Sequence, residues 1–504
     1  MQKGFDNDKY VDLQSRYILE RVEQSEKIYL EFGGKLFGDL HAMRVLPGFD
    51  PDAKIKILQE LREQAEIIIC IYAGDIAENK IREDYGISYE DEVLRMIDEF
   101  RSRQLSVNSV VVTRYSENKA VQIFKSRLER RNIKVYLHEA TQGYPLDVDT
   151  IVSESGYGQN EYIQTDKKLV VVTAPGPNSG KLGICLSQLY HEIARGKKAG
   201  YAKFETFPVW NLPLKHPVNV AYEAATADLL DVNMIDPYHL EAYGEYAINY
   251  NRDIEAFPLV RRILNKIFDG ESPYKSPTDM GVNQVGNCII DDEVVKDAAN
   301  QEIIRRYLHT ASAYRRGTTG EEPYQRTKLL MDEMQLTEED RLVVKPARDY
   351  AKLLKEERPD LYPEDKTPRV TALELPNGLI VTGKGSKQMS SISAAIINAI
   401  KVMTGLADPI HLLSPVVLEP VHYLKEDILG QRENSLSALE ILITLSISAA
   451  TNPMAREALD ALRNLRGCQA HSTVLLNKND EEVCSQLGIE HTSDPVFGAN
   501  TLFY

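Results

Sequence analysis

The sequence predicts an α/β protein of more than one domain. The expected order is an N-terminal, mostly parallel sheet with flanking helices, a helical middle region and a smaller C-terminal α/β domain. Three observations carry this. Short β-branched runs alternate with helix-length amphipathic segments through residues 1–207. The strand signals then thin out, and they resume beyond a proline-containing stretch at 358–368. The chain has 504 residues, far more than the roughly 100–150 of a typical domain.

The elements follow in order. Strands are expected at 27–31, 67–72, 109–113, 134–137 and 168–173, and helices at 53–64, 89–103, 119–130 and 182–194. Several of these strands are apolar almost throughout, as strands buried on both faces of a parallel sheet are. Helical periodicity marks 222–230, 239–246, 253–268, 294–314, 324–334 and 341–357. Beyond the linker, 370–375 and 379–382 flank Pro376-Asn377-Gly378, a hairpin signal. A helix is expected at 391–403, a strand at 411–418, helices at 435–450 and 454–465, a strand at 472–476 and a short helix at 480–487. The expected domains are therefore 1–207, 208–365 and 366–504.

Composition narrows the function classes. The formal net charge is −16, which opposes whole-surface attraction to nucleic acid or to an anionic membrane. No apolar run reaches the roughly 20 residues of a membrane helix, and residues 1–10 lack the apolar core of a signal peptide. Five separate cysteines without a C-x-x-C pair fit reduced thiols in the cytoplasm. A cytoplasmic protein is expected, with self-association into a homo-oligomer as a further expectation.

Two glycine- and lysine-containing loops carry the clearest chemical signal. Residues 174–181, Ala-Pro-Gly-Pro-Asn-Ser-Gly-Lys, follow a strand and precede a helix. Gly176, Ser179, Gly180 and Lys181 can turn backbone N–H groups, a helix dipole and a full charge toward one point, which suits a phosphate. The loop departs from the P-loop pattern at Pro175, where a glycine is required, and at Leu182, where a magnesium-ligating Ser or Thr is required. The second loop holds Gly383, Lys384, Lys387, Ser390 and Ser391 ahead of an apolar helix that Ser390 or Ser391 can cap. No acidic residue occurs at 167–191 or at 375–407, and each window holds three lysines. Both loops are expected to bind an anionic group and to meet in one interdomain cleft; capped helices facing water are the alternative.

Candidate proton-transfer residues lie in the middle region. Polar side chains crowd 210–253, among them His216, Glu223, Asp236, His239, Asn249 and Asp253. Their spacing matches no defined metal motif, so no metal ligand is assigned. Ser276-Pro277-Thr278-Asp279 is a turn-rich loop in which Asp279 is a candidate general base or metal ligand or, alternatively, an Asx-turn residue. His191-Glu192 fails H-E-x-x-H because Arg195 stands in the second histidine position, and no G-x-S-x-G elbow occurs.

Residues 204–244 (FETFPVWNLPLKHPVNVAYEAATADLLDVNMIDPYHLEAYG), 247–258 (AINYNRDIEAFP), 276–283 (SPTDMGVN) and 381–401 (VTGKGSKQMSSISAAIINAIK) resemble a bacterial family of about the same length, a domain of unknown function. The resemblance covers essentially the whole chain. It implies a soluble multidomain α/β protein, and some family members carry the label ATP-dependent peptidase. It transfers no site residue and no cofactor. Two functions remain open: an enzyme acting on a phosphorylated small molecule or nucleotide, with Asp279 or His239 moving a proton, and a non-catalytic nucleotide- or anion-binding sensor or scaffold.

Overall fold

The structure is a computed structural model that describes residues 2–82, 86–364, 366–431 and 435–498. Asp365, within the expected linker, lies outside the described residues. The chain divides into two compact units, Met1–Ala299 and Asn300–Tyr504.

The first unit is built on a seven-stranded sheet. Its strands are β1 (Lys27–Phe32), β2 (Ala65–Tyr72), β3 (Ser106–Thr113), β4 (Lys134–Leu137), β5 (Leu169–Thr173), β6 (Ala199–Phe204) and β7 (Gly281–Val282), in the spatial order β7-β6-β1-β5-β2-β3-β4. Every pairing is parallel. β1 and β5 are buried along their whole length, which is what near-continuous Val, Ile and Leu in the central strands requires when helices cover both faces. On one face Tyr29, Cys70, Val170 and Val172 pack with Ile184 and Leu189 of helix Lys181–Ala194 and with Phe257 and Leu264 of helix Asn251–Ile267. Helices Asn7–Glu23 and Tyr89–Ser102 also pack on the sheet.

The strand order creates a topological switch. The chain leaves β2 through helix Tyr89–Ser102 toward β3 and β4, and leaves β5 through helix Lys181–Ala194 toward β6 at the opposite side. Neighbours β5 and β2 thus send the chain in opposite directions. Ligands of open α/β sheets bind at such switch points.

Outside this sheet, the described residues of the unit also form two antiparallel ribbons, Asn233–Ile235 with Ile248–Tyr250 and Ile81–Arg82 with Ile87–Ser88. Two short helices, Pro237–Tyr243 and Pro277–Met280, begin with a proline behind a capping Asp236 and Ser276. Proline is suited to the first helical position because its missing N–H would have no intrahelical partner.

In the second unit, β8 (Val370–Glu374), β9 (Ile380–Lys384), β10 (Gln469–Ser472) and β11 (Glu490–Ser493) form a mixed sheet in the order β9-β8-β10-β11. The hairpin turn uses Gly378 at φ +82°. Helices Ser391–Met403, Ala438–Ser448 and Pro453–Ala461 supply one core, through Ile396, Ile400, Ile441, Leu445 and Ala458. Helix Val344–Glu357 packs on Val370 and Ala372 through Ala347, Ala351 and Leu354. The strand expected at 411–418 is corrected by the structure: Pro415–Tyr423 is a helix, with Ser414 at its N-cap and Pro415 at its first position. Its apolar run imitates a strand because Val416, Val417 and Leu418 are consecutive, yet none of this helix's residues is buried. Among the described residues, no helix is long and apolar enough to cross a membrane.

Candidate ligand sites in the first unit

The first site is the loop between β5 and helix Lys181–Ala194. Gly180 is the N-cap and adopts φ +88°, which lets the chain turn sharply from the strand end into the helix. Only glycine enters this left-handed region without strain, and a Cβ here would lie 3.0 Å from the Thr113 side chain. Lys181 opens the helix and is partly buried. The loop is held from outside by donors to its carbonyls: Arg82 to Pro175 O at 3.0 Å, Arg114 to Asn178 O at 2.6 Å and Thr113 Oγ1 to Ser179 O at 2.8 Å. Ser179 is buried, and its hydroxyl donates to Gly176 O at 2.9 Å. Gly176 faces the Tyr89 ring so closely that a Cβ would come within 2.5 Å of the tyrosine oxygen. The Arg114 guanidinium lies 3.5 Å from the Tyr72 ring centroid, a cation–π contact at the end of β2. Arg82 and Arg114 thus brace the turn at the switch point, Arg82 also pairing with buried Glu92 at 2.7 Å, and Lys181 follows the turn as the first residue of the helix. The first N–H groups of the helix, which have no intrahelical partners, add their partial positive charge.

The second site is a cavity of about 110 Å³, lined by residues that include Tyr17, Arg21, Glu205, Trp210, His239, Asn249, Thr278 and Asp279. Glu205 directly follows β6, placing the cavity at the same end of the sheet as the 174–181 loop. Two strand spacings, roughly 10 Å, separate β5 from β6.

The cavity brings together His239 and Asp279. His239 is buried, and its Nδ1 lies 3.0 Å from Ser276 Oγ and 3.8 Å from Asp279 Oδ1. Ser276, His239 and an aspartate suggest a hydrolytic triad, but both partners approach the same ring nitrogen. A triad needs the nucleophile and the carboxylate on opposite nitrogens, so this is not one. Ser276 and Asp279 instead form a capping box on helix Pro277–Met280, with Asp279 N donating to Ser276 Oγ at 3.1 Å and Ser276 N to Asp279 Oδ2 at 3.1 Å. Asp279 Oδ2 also accepts from Lys275 N at 2.8 Å and Tyr243 OH at 2.9 Å. Three donors occupy this oxygen, so Asp279 organises the loop and braces His239.

Glu205 is the residue that sequence reasoning missed. Lys203 Nζ lies 2.7 Å from Glu205 Oε1 and also pairs with Asp253. Burial pushes the Glu205 carboxyl up to about 7, aided by Asp253 and Glu31 and opposed by Lys203. Burial works against the charge on Lys203, but Asp253, Glu205 and Glu31 outweigh it and hold the ammonium above its ordinary value. Arg21, from helix Asn7–Glu23, donates through Nη2 to Asp279 O at 2.8 Å and stacks over Tyr17. Trp210, the only tryptophan in the chain, is anchored by Nε1 donating to Asn283 O at 3.0 Å.

Most of the polar side chains at 210–253 serve the fold. His216 caps helix Pro217–Ala225 and meets Asp292 at 2.9 Å; Glu223 pairs with Asn233; Asp231 pairs with Arg252; Asp236 caps helix Pro237–Tyr243. Among the described residues, no group of three or more His, Cys, Asp or Glu is arranged to hold a metal ion. All five cysteines are buried, and burial pushes Cys70 up to about 12.

The second lysine loop lies in the second unit. Gly383 sits in β9, where a Cβ would come within 2.2 Å of Ala395 N, so glycine here permits the close approach of strand and helix. Ser390 caps helix Ser391–Met403 by accepting from Ser393 N at 3.4 Å, and Ser391 Oγ accepts from Thr371 at 2.8 Å. Lys384 and Lys387 are exposed.

Fold and geometry together describe an α/β protein in which a glycine turn and a polar cavity lie at the carboxyl end of a parallel sheet. The comparisons with known proteins give the family. Residues 3–335 match the model described as Domain of unknown function DUF1846, N-terminal, and residues 339–503 match its C-terminal counterpart. The chain belongs to this family. It is 58% identical to the UPF0371 protein of Clostridium tetani, 59% to that of Clostridium botulinum (strain Langeland) and 57% to that of Clostridioides difficile, each over 504 residues and the full length of both chains.

Proposed function

We propose that the protein binds a phosphorylated small molecule or nucleotide through its first unit, with the phosphate seated on residues 176–181. The observation that carries this reading is the turn at Gly180. Its left-handed conformation delivers Lys181 to the head of a 14-residue helix at the switch point, after a loop whose carbonyls accept from Arg82 and Arg114. Helix N-terminus and lysine together suit one anion. His239 is the proton-transfer residue of the adjoining cavity: its Nδ1 is committed to Ser276, which leaves Nε2 to meet a ligand.

A second reading, binding without turnover, is favoured by a specific residue. Leu182 occupies the position where a P-loop places its magnesium-ligating hydroxyl, and it packs against the apolar core of the sheet. The two readings share the phosphate and differ in chemistry. A thermal-shift panel of nucleotides and sugar phosphates tests the binding. A ligand at 100 times its Kd adds about 2.7 kcal/mol. A hit that Lys181→Ala abolishes supports the site, and incubation of that hit with the protein, followed by product analysis, separates enzyme from sensor. A panel without hits, or a hit indifferent to Lys181→Ala, removes the proposal.

A further inference from the structure

The cavity around Trp210 holds a guanidinium and a carboxyl group whose hydrogen-bonding capacity the fold does not exhaust. Arg21 makes its protein hydrogen bonds through Nη2, to Asp279 O, Gly281 O and Tyr17 OH. Its Nε and Nη1 hydrogens have no protein partner among the described residues. This guanidinium is fixed in place by two carbonyls and a stacked tyrosine, so it can pair with a carboxylate at little further cost in side-chain entropy. Glu205 supplies the carboxyl group, and its side chain is only 11% exposed. Its ion-pair partner, Lys203, is shared with Asp253, so two carboxylates divide one ammonium. Burial pushes the Glu205 carboxyl up, and the neighbouring Asp253 adds to that push. Gly281 leaves open the space beside this carboxylate, where a Cβ would stand 3.5 Å from Glu205 Oε2. Trp210 and Ile248 complete the wall with apolar surface.

We propose that this cavity binds a small zwitterion of the α-amino acid class, its carboxylate on Arg21 and its ammonium on Glu205. The cavity, about 110 Å³, has room for more than a single water, and glycine, alanine and serine are the smallest members of the class with which to probe it. The proposal takes the cavity as a ligand site and does not depend on a phosphate at 176–181.

Trp210 provides the readout, because a single tryptophan lines the cavity and its emission reports occupancy. The full chain is titrated with glycine, alanine and serine. Acetate and propionate serve as carboxylates without the amine, and methylamine and ethylamine as amines without the carboxylate. The expected result is a saturable change with at least one amino acid and at least tenfold weaker binding of each half-ligand. Arg21→Gln should remove the advantage of the amino acid over the amine. Glu205→Gln should remove its advantage over the carboxylate. Lys181→Ala should leave the amino acid titration unchanged, which keeps this test separate from that of the phosphate site. Equal binding of amino acid and carboxylate, or wild-type binding by both cavity variants, overturns the proposal. So does the absence of binding by both fluorescence and equilibrium dialysis.

Discussion

Replacing Gly180 by alanine tests the turn on which the phosphate site depends. At a right-handed position Gly→Ala stabilises by about 0.4–1 kcal/mol, because it restricts the unfolded chain. At φ +88° the sign reverses: the left-handed conformation costs an L-residue about 1–2 kcal/mol. The new Cβ also meets Thr113 at 3.0 Å. Thr113 must then shift, and its 2.8 Å hydrogen bond to Ser179 O is worth about 1 kcal/mol. The sum is a local loss of about 2–3 kcal/mol. A chain of two units need not unfold in a single transition, so the appropriate assay is amide hydrogen exchange over residues 169–194. Exchange there should accelerate about 30- to 160-fold, at about 1.4 kcal/mol per decade. Exchange in β8 and β9 should be unchanged. Unchanged or slower exchange at 169–194 would refute the assigned role of Gly180.

Three further outcomes are expected. Gly383→Ala should destabilise the second unit by about 3 kcal/mol, the upper end for overpacking, because its Cβ would strike the Ala395 backbone; urea unfolding followed by exchange in β8 and β9 measures this. Ser276→Ala should cost about 1–2 kcal/mol through the lost cap and should alter Trp210 emission, since His239 loses its 3.0 Å partner and its ring centroid is 6.4 Å from that of Trp210. Asp494 gives a pH dependence. Burial opposes its charge, but His471 and Arg348 outweigh burial and hold it at about 2. A folded value below the ordinary 3.9 means that the stabilisation, about 2–3 kcal/mol, is complete above about pH 5 and disappears as pH falls toward 2. Asp494→Asn should flatten that part of the stability profile of the second unit, measured by exchange in β10 and β11; an unchanged slope would count against the pairing.

The parallel sheet was legible because its central strands are buried on both faces and read as apolar runs such as 67–72 and 168–173. The seventh strand, Gly281–Val282, was not, because two residues carry no periodicity and their pairing with β6 is purely tertiary. Helix Asn7–Glu23 escaped notice because Gln14 and Ser15 stand among its buried positions and blur the apolar stripe. His239 and Asp279 were legible as chemistry-bearing residues in a turn-rich region, but the capping box that occupies Asp279 depends on its geometry with Ser276. Glu205 and Arg21 were not legible as site residues. Arg21 reaches Asp279 across 258 positions of sequence, and the demand on Glu205 arises from Lys203 and Asp253 as they meet in the fold. At the second loop the sequence pattern is ambiguous: glycines and serines that could cradle an anion also pack a strand against a helix and cap it.

The central claim, a phosphate seated on residues 176–181, is tested most directly by anomalous diffraction from crystals of the full chain soaked in tungstate, a heavy-atom mimic of phosphate. The account expects an anomalous peak at the N-terminus of helix Lys181–Ala194, within hydrogen-bonding reach of Lys181 Nζ, and its loss in Lys181→Ala crystals. A peak elsewhere with none at this helix, or one that persists without the lysine, would contradict it.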